Sequence, residues 1–207
     1  MSSISIIGLG GMARVLATRA LDGGNTVEVI GRDATKAATF ARTLGRGATA
    51  ATIGTVPSGD IVILAVPYTS AAPIVSQYGD ALSGKVVVDI ANPFAPDFTG
   101  LLTPEGSSAA QEIAKVAPAG AHVVKAFNTV FATVLADGGP LDVFIAGDDA
   151  RAKERVSAFI ESLGLRPLDT GSLEMAGQLE ETGLLMMGLG QYGVKHFNFS
   201  LSVNILS

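Results

Sequence analysis

The first residues with the types and spacing for chemistry lie near the start of the chain, in "ISIIGLGGMARVLA". Gly8-x-Gly10-x-x-Ala13 directly follows a β-branched run and directly precedes a helical pattern of Met12, Val15, Leu16 and Ala20. A glycine at the first position permits a tight strand-to-helix turn, and one at the second lets a pyrophosphate approach the backbone. A small third residue allows close helix–strand packing. Free N–H groups at the helix start then meet the anion. Spacing and context together point to a dinucleotide.

The second strand carries the next candidate, in "VEVIGRDATKA". An NAD site keeps a carboxylate at this strand end to accept hydrogen bonds from the ribose. Here Gly31 holds that place, Arg32 follows, and Lys36 comes one helical turn later. A 2′-phosphate carries roughly −1.5 to −2 charges near neutral pH, which a carboxylate would repel. Arginine offers a planar fork for phosphate oxygens, Lys36 a second cation and Thr35 a hydroxyl. One or two hydrogen bonds to a charged group, at about 1.5–3 kcal/mol each, favour NADP over NAD by roughly 10- to 100-fold. Asp33 reads as the N-cap of the helix that follows.

The elements that must position these residues follow from the apolar pattern. Strand-like runs at Ser3–Ile7, Thr26–Ile30, Asp60–Val66, Lys85–Ile90, His122–Phe127, Leu141–Ala146 and Arg166–Asp169 alternate with helical patterns. The helices are predicted at Met12–Leu21, Thr35–Leu44, Thr69–Tyr78, Ser107–Val116 and Asp149–Leu163. Runs such as "IVILAV" are apolar without alternation, as in strands covered on both faces. The rhythm predicts an α/β fold, a Rossmann-like doubly wound and mostly parallel sheet. Residues 1–171 are expected to form the nucleotide-binding domain and 172–207 a short helical extension. Two stretches break the rhythm. Residues 92–106, with prolines at 93, 96 and 104, predict a long loop of the kind that covers ligands. The tail begins with a serine cap at Ser172, and its Gly183, Gly188, Gly190 and Gly193 predict close backbone approach to a helix or a ring.

Composition narrows the classes. A chain of 207 residues with 48% hydrophobic and 16% charged residues has material for a sizeable core, and its excess of apolar residues suggests surface buried against another subunit. A net charge of −5 without a basic run argues against nucleic acid. The absence of cysteine removes disulfides, thiolate metal sites and a thiol nucleophile. No apolar run approaches the roughly 20 residues of a membrane span, and "MSSISIIGLGG" lacks the charged start of a secretory signal, so a cytoplasmic location is expected.

In order along the chain, "IGLGGMARVLA", "IGRDATKA", "LAVPYTSA", "SSAAQEIAKV", "VVKAFNTV", "VFIAGDD", "LGLRPLDTGSL" and "LLMMGLGQYGVKHF" closely resemble the NADPH-dependent coenzyme F420 reductases. The resemblance runs from residue 3 to about 197, and its most specific parts are "GLRPLDTG" and "GLGQYGVK". It implies a Rossmann domain with a C-terminal extension, a homodimer, and hydride transfer between NADPH and a deazaflavin stacked on the nicotinamide. By position it implies that Leu9, Gly10, Gly11 and Met12 bind pyrophosphate, and Gly31, Arg32 and Lys36 the 2′-phosphate, where the family commonly has Ser-Arg. Val66 and Pro67 would lie beside the riboses; Asn92, Pro93 and Phe94 with Phe127, Asn128, Thr129 and Val130 would border the ring pocket. The chain departs from archaeal members at Asn128, which replaces a histidine, and at Phe131, which replaces a proline. "KAFNTV" also resembles the NADPH-oxidising domains of membrane ferric reductases, which reduce an ordinary flavin.

Direct hydride transfer needs two flat rings stacked at about 3–3.5 Å with water excluded, and no metal, nucleophile or dedicated base. Asn128 and Thr129, with Pro93 beside them, are the residues expected to position a ring. His122 and His196 read as structural, Asp148 and Asp149 as helix caps rather than metal ligands, and Met186 and Met187 as core or dimer interface. Imine reductases and hydroxyacid dehydrogenases share the N-terminal pattern but use a large helical domain for substrate, whereas the stretch after Asp169 is short. Three functions stay open: F420 reduction, FMN or FAD reduction, and NADP sensing without turnover.

Overall fold

The structure is a computed structural model that describes residues 1–206. β1 (Ser3–Ile7), α1 (Gly11–Asp22), β2 (Thr26–Gly31), α2 (Ala34–Leu44) and β3 (Thr49–Thr52) form the first half of the nucleotide fold. β4 (Ile61–Leu64), α3 (Tyr68–Tyr78), β5 (Val86–Asp89), α4 (Ala109–Val116) and β6 (His122–Lys125) form the second. α5 (Ala132–Asp137), β7 (Asp142–Gly147), α6 (Ala150–Ser162), β8 (Arg166–Asp169) and α7 (Ala176–Gly188) complete the chain.

These strands make one sheet, ordered β3-β2-β1-β4-β5-β6-β7-β8. All neighbours are parallel except β6 and β7. The Rossmann-like doubly wound topology read from the sequence is therefore present, with the strand order reversing between β1 and β4. Why the strands lack alternation is visible in the packing. Ile61 and Ile63 of β4 enter the layer shared with α1 and α6, while Val62 and Leu64 enter the layer shared with α3 and α4. Burying each such side chain contributes about 1.5–3 kcal/mol, which makes a two-sided apolar strand hard to displace.

The differences from the sequence pattern are local. β3 is unanticipated because Thr49–Thr52 is short, small-residued and half exposed at the sheet edge. α5 is unanticipated because it is a six-residue helix with no side-chain cap. The strands expected at Asp60–Val66, Lys85–Ile90 and His122–Phe127 stop at Leu64, Asp89 and Lys125. Each of the three lost ends has become a loop facing the ligand side of the sheet. Ser172 makes no capping bond; Asp148 takes that work, its Oδ1 accepting from Leu173 N at 2.8 Å before the turn into α7. Asp33 and Asp149 do cap, accepting from Lys36 N at 2.9 Å and from Ala152 N at 2.7 Å.

Beyond α7 the chain passes through a π-helical turn, Leu189–Gly193, and returns along the sheet edge. Phe197 and Phe199 meet Phe131 edge-on, with centroids 5.5 and 5.3 Å away. Arg166 donates to both carboxylate oxygens of Asp142 at 2.6 Å, and the pair holds Val203 at its N–H and its carbonyl, both at 2.7 Å. Hydrogen bonds from Arg166 hold the Asp142 carboxyl below its ordinary range. A depressed carboxyl stabilises the fold above its unfolded value near 3.9 and loses that contribution as pH falls through the folded value. Asp142→Asn is expected to cost about 1–3 kcal/mol at neutral pH and to abolish hydrogen-exchange protection of the Val203 amide. Wild-type protection at Val203 is expected to fade only below about pH 4.

Candidate dinucleotide crevice and ring cavity

The C-terminal ends of β1 and β4 bracket the point where the strand order reverses, the place where open α/β sheets bind ligands. Gly8 ends β1 at φ 121°, and a Cβ there would lie 2.1 Å from the carbonyl oxygen of Ala65. No side chain fits, so the glycine is compelled by both space and backbone angle. Its N–H donates to Ile30 O at 2.9 Å, tying β1 to β2. Gly10 is the N-cap of α1, and no side chain caps that end. The first-turn N–H groups are thus directed at the crevice. Ala13 is fully buried and allows the close helix approach that its small size implied.

A crevice of about 430 Å³ lies over this switch point. Leu9, Gly10, Gly31, Arg32, Lys36, Val66 and Pro67 line it. Arg32 and Lys36 are exposed and, among the described residues, engage in no ion pair. Ile53, Ser70 and Ile74 also line the crevice and were missed. Ile53 belongs to the loop after β3, which the sequence pattern did not reveal.

A second cavity, of about 230 Å³, opens on the other side of the glycine loop, where Met12 forms part of its wall. Asn92, Phe94, Phe127, Asn128, Thr129 and Val130 line it together with Phe131. Pro93 does not; it is buried, and its carbonyl accepts from Leu102 N at 2.7 Å in the loop that follows β5. Gly11 is exposed beside the loop and lines neither cavity. Met186 is buried in the core, as expected of it, and together with Met187 it also lines the cavity. No charged side chain lines it.

The polar groups of this cavity are ordered. Asn92 Nδ2 donates to Asn128 O at 2.7 Å, while Asn128 Nδ2 donates to Asn92 Oδ1 at 3.0 Å and to Leu179 O at 2.7 Å. Both amide hydrogens of Asn128 are therefore committed within the protein. Its Oδ1 and the hydroxyl of Thr129 are buried without a partner. Phe127, buried at φ 60°, turns the chain here, and its ring meets Phe159 edge-on at 6.3 Å. Bulky residues rarely adopt this conformation, and strain of that kind collects at binding sites. Gly183 of α7 has a reason to be glycine: a Cβ would lie 2.8 Å from Asn92 Oδ1. At Gly183 the close approach is to an amide, and at Gly190 it is to a ring, that of Phe197, 2.4 Å from where a Cβ would stand.

The histidines stand apart. His122 sits 3.8 Å from Asp149 at a strand start, and His196 accepts from Asn198 N at 3.2 Å on the surface; neither lines the two cavities. Among the described residues no cluster of three or more metal-ligating side chains forms, and no helix is long and apolar enough to cross a membrane.

Fold and crevice define a Rossmann-type dinucleotide-binding protein. Residues 3–93 match the family described as NADP oxidoreductase coenzyme F420-dependent. Metalloreductase STEAP3 of Rattus norvegicus is 33% identical over 188 residues, which is 89% of this chain and 37% of that one. The F420-dependent NADP reductase of Methanocaldococcus jannaschii is 34% identical over 139 residues, 63% of this chain and 62% of that one. A solved chain from Arthrobacter sp., provisionally described as an F420-dependent NADP reductase, superposes with a TM-score of 0.86 at 25% identity, covering 99% of this chain and 100% of that one. Through residues 3–93 the chain is similar to this family. It spans less than two thirds of the length of the two curated relatives named.

A buried hydroxyl without a partner costs about 1–3 kcal/mol. Thr129→Val, which keeps the shape and removes the hydroxyl, is therefore expected to leave stability unchanged or raise it by about 1 kcal/mol in denaturant unfolding.

Proposed function

We propose that the protein is an NADP(H)-dependent oxidoreductase that moves a hydride between NADPH and a deazaflavin, coenzyme F420. The observation that carries this reading is the glycine-loop crevice lined by Arg32 and Lys36, beside an uncharged cavity whose wall includes Asn128 and Thr129, each with a buried side-chain oxygen that has no partner. A carboxamide has one NH₂ donor and one carbonyl acceptor, which complement an amide oxygen and a hydroxyl. When bound, the nicotinamide gives up a hydride, two electrons with one proton, to the acceptor ring laid on it.

In this proposal the chain's own residues bind, orient and exclude water. The α1 start, with Leu9, Gly10, Gly11 and Met12, holds the pyrophosphate, and Arg32 and Lys36 the 2′-phosphate. Val66 and Pro67 flank the riboses. Met12, Phe127 and Met186 wall out solvent around the ring, since an apolar lining strengthens the few polar contacts inside. Residues 1–171 serve as the nucleotide domain, and 172–207 as acceptor wall and homodimer contact; Ser207 lies outside the described residues. The exposed apolar side chains Leu185, Tyr192, Ile205 and Leu206 in that tail support a dimer. The setting is cytoplasmic. A second reading, reduction of FMN or FAD, draws on the metalloreductase relative, which aligns with 89% of the chain.

The test is NADPH oxidation followed by absorbance with F420, FMN and FAD in turn. Oxidation with F420 alone is expected; oxidation only with FMN or FAD favours flavin reduction, and none with any acceptor favours a sensor. Arg32→Ala should weaken NADPH binding by about 10- to 100-fold and NADH little; an equal loss for both would contradict the 2′-phosphate assignment. Thr129→Val should slow turnover about tenfold through loss of one hydrogen bond.

A further inference from the structure

Behind the ring cavity lies a cluster of charges that lines no part of either cavity described above. Lys125 at the end of β6, Asp89 at the end of β5 and Glu180 on α7 are all fully buried. Lys125 Nζ donates to Asp89 Oδ2 at 2.7 Å, Glu180 Oε1 at 2.6 Å and Ala91 O at 2.6 Å. Three acceptors match the three protons of an ammonium. Asp89 Oδ1 also accepts from Ala91 N at 3.0 Å. Glu180 also accepts from Ala109 N, at 3.0 and 3.1 Å to its two oxygens, at the start of α4. One ammonium faces two carboxylates, and the positive end of α4 offsets the surplus negative charge. Burial raises the Glu180 carboxyl above its ordinary value, with Lys125 pulling the other way.

A buried ion cluster is weak evidence for stability, because apolar replacements are often as stable. Its use lies in direction. α7 is apolar and rich in glycine, and apolar packing does not fix one register. Each member of the cluster leads straight to the cavity wall. Lys125 precedes Phe127 and Asn128, and Asp89 precedes Asn92. Glu180 follows Leu179, whose carbonyl holds Asn128 Nδ2, and stands three residues, close to one turn, before Gly183, which abuts Asn92.

We infer that Lys125, Asp89 and Glu180 are positioning residues that lock α7 against the ends of β5 and β6 and so fix Asn128 and Thr129 in the wall of the ring cavity. This inference rests on the proposed seat of the nicotinamide in that cavity. Glu180→Gln tests it, since either amide orientation sets an N–H donor against Ala109 N–H or the Lys125 ammonium. The second variant combines Lys125→Met, Asp89→Leu and Glu180→Met, leaving an apolar cluster in place of the charges.

Two ligands are titrated against each protein: NADPH, followed by its own fluorescence, and 2′-phospho-ADP-ribose, which lacks the nicotinamide. The chain has no tryptophan to interfere. Wild type is expected to bind NADPH more tightly than the fragment and to enhance its fluorescence. Both variants should bind the fragment within about twofold of wild type, lose about tenfold of the NADPH advantage, and lose the enhancement. Variants that keep the wild-type advantage and enhancement would overturn this inference alone. A triple variant that loses the fragment as well would overturn it too, by making the cluster a support of the whole fold. A wild type with no advantage for NADPH would overturn the ring-cavity seat and this inference with it.

Discussion

The close approach of the β1 end to the β4 end is the constraint on which the rest of the molecule depends. With a Cβ at Gly8 forced within 2.1 Å of the Ala65 carbonyl oxygen, only glycine allows the two parallel strands to meet there. Their meeting sends α1 to one face of the sheet and α3 to the other, and opens the crevice between them. The bare helix start, the exposed pair Arg32 and Lys36, and the Val66–Pro67 wall all take their places from that junction.

The far side of the loop is organised by a different force. Three strand ends unwind early, at Leu64, Asp89 and Lys125, and the last two lead into the loops that carry Asn92 and Asn128. A reciprocal amide pair, a strained phenylalanine and an ionic cluster hold these loops against α7. Polar contacts decide the shape here because each has a required direction, whereas the apolar side chains around them tolerate sliding. The result is a small uncharged chamber walled in part by Asn128 and Thr129, each of which keeps a buried oxygen without a partner.

Much of this was legible in the sequence where local pattern and global packing agree. The glycine loop, the apolar central strands and the Asp33 cap follow from spacing alone, because steric limits and two-sided burial leave little choice. β3 escaped because Thr49–Thr52 has neither bulk nor alternation, and Ile53 escaped with it. The over-long strands escaped for the opposite reason: residues such as Ile90 and Phe127 are apolar enough for a strand yet form cavity wall. Lys125, Asp89 and Glu180 gave no signal, since a lone lysine in "VVKAF" and a glutamate in "QLEETG" reveal their partnership only when the sheet brings them together.

In the proposed function an NADP molecule spans the glycine loop with its phosphorylated ribose and its nicotinamide in separate cavities. A crystal structure with NADP⁺ tests it most directly. The expected density places the 2′-phosphate between Arg32 and Lys36 and the carboxamide within hydrogen-bonding distance of Asn128 Oδ1 and Thr129 Oγ1. A nicotinamide left in solvent, or a 2′-phosphate turned away from both cations, would contradict it.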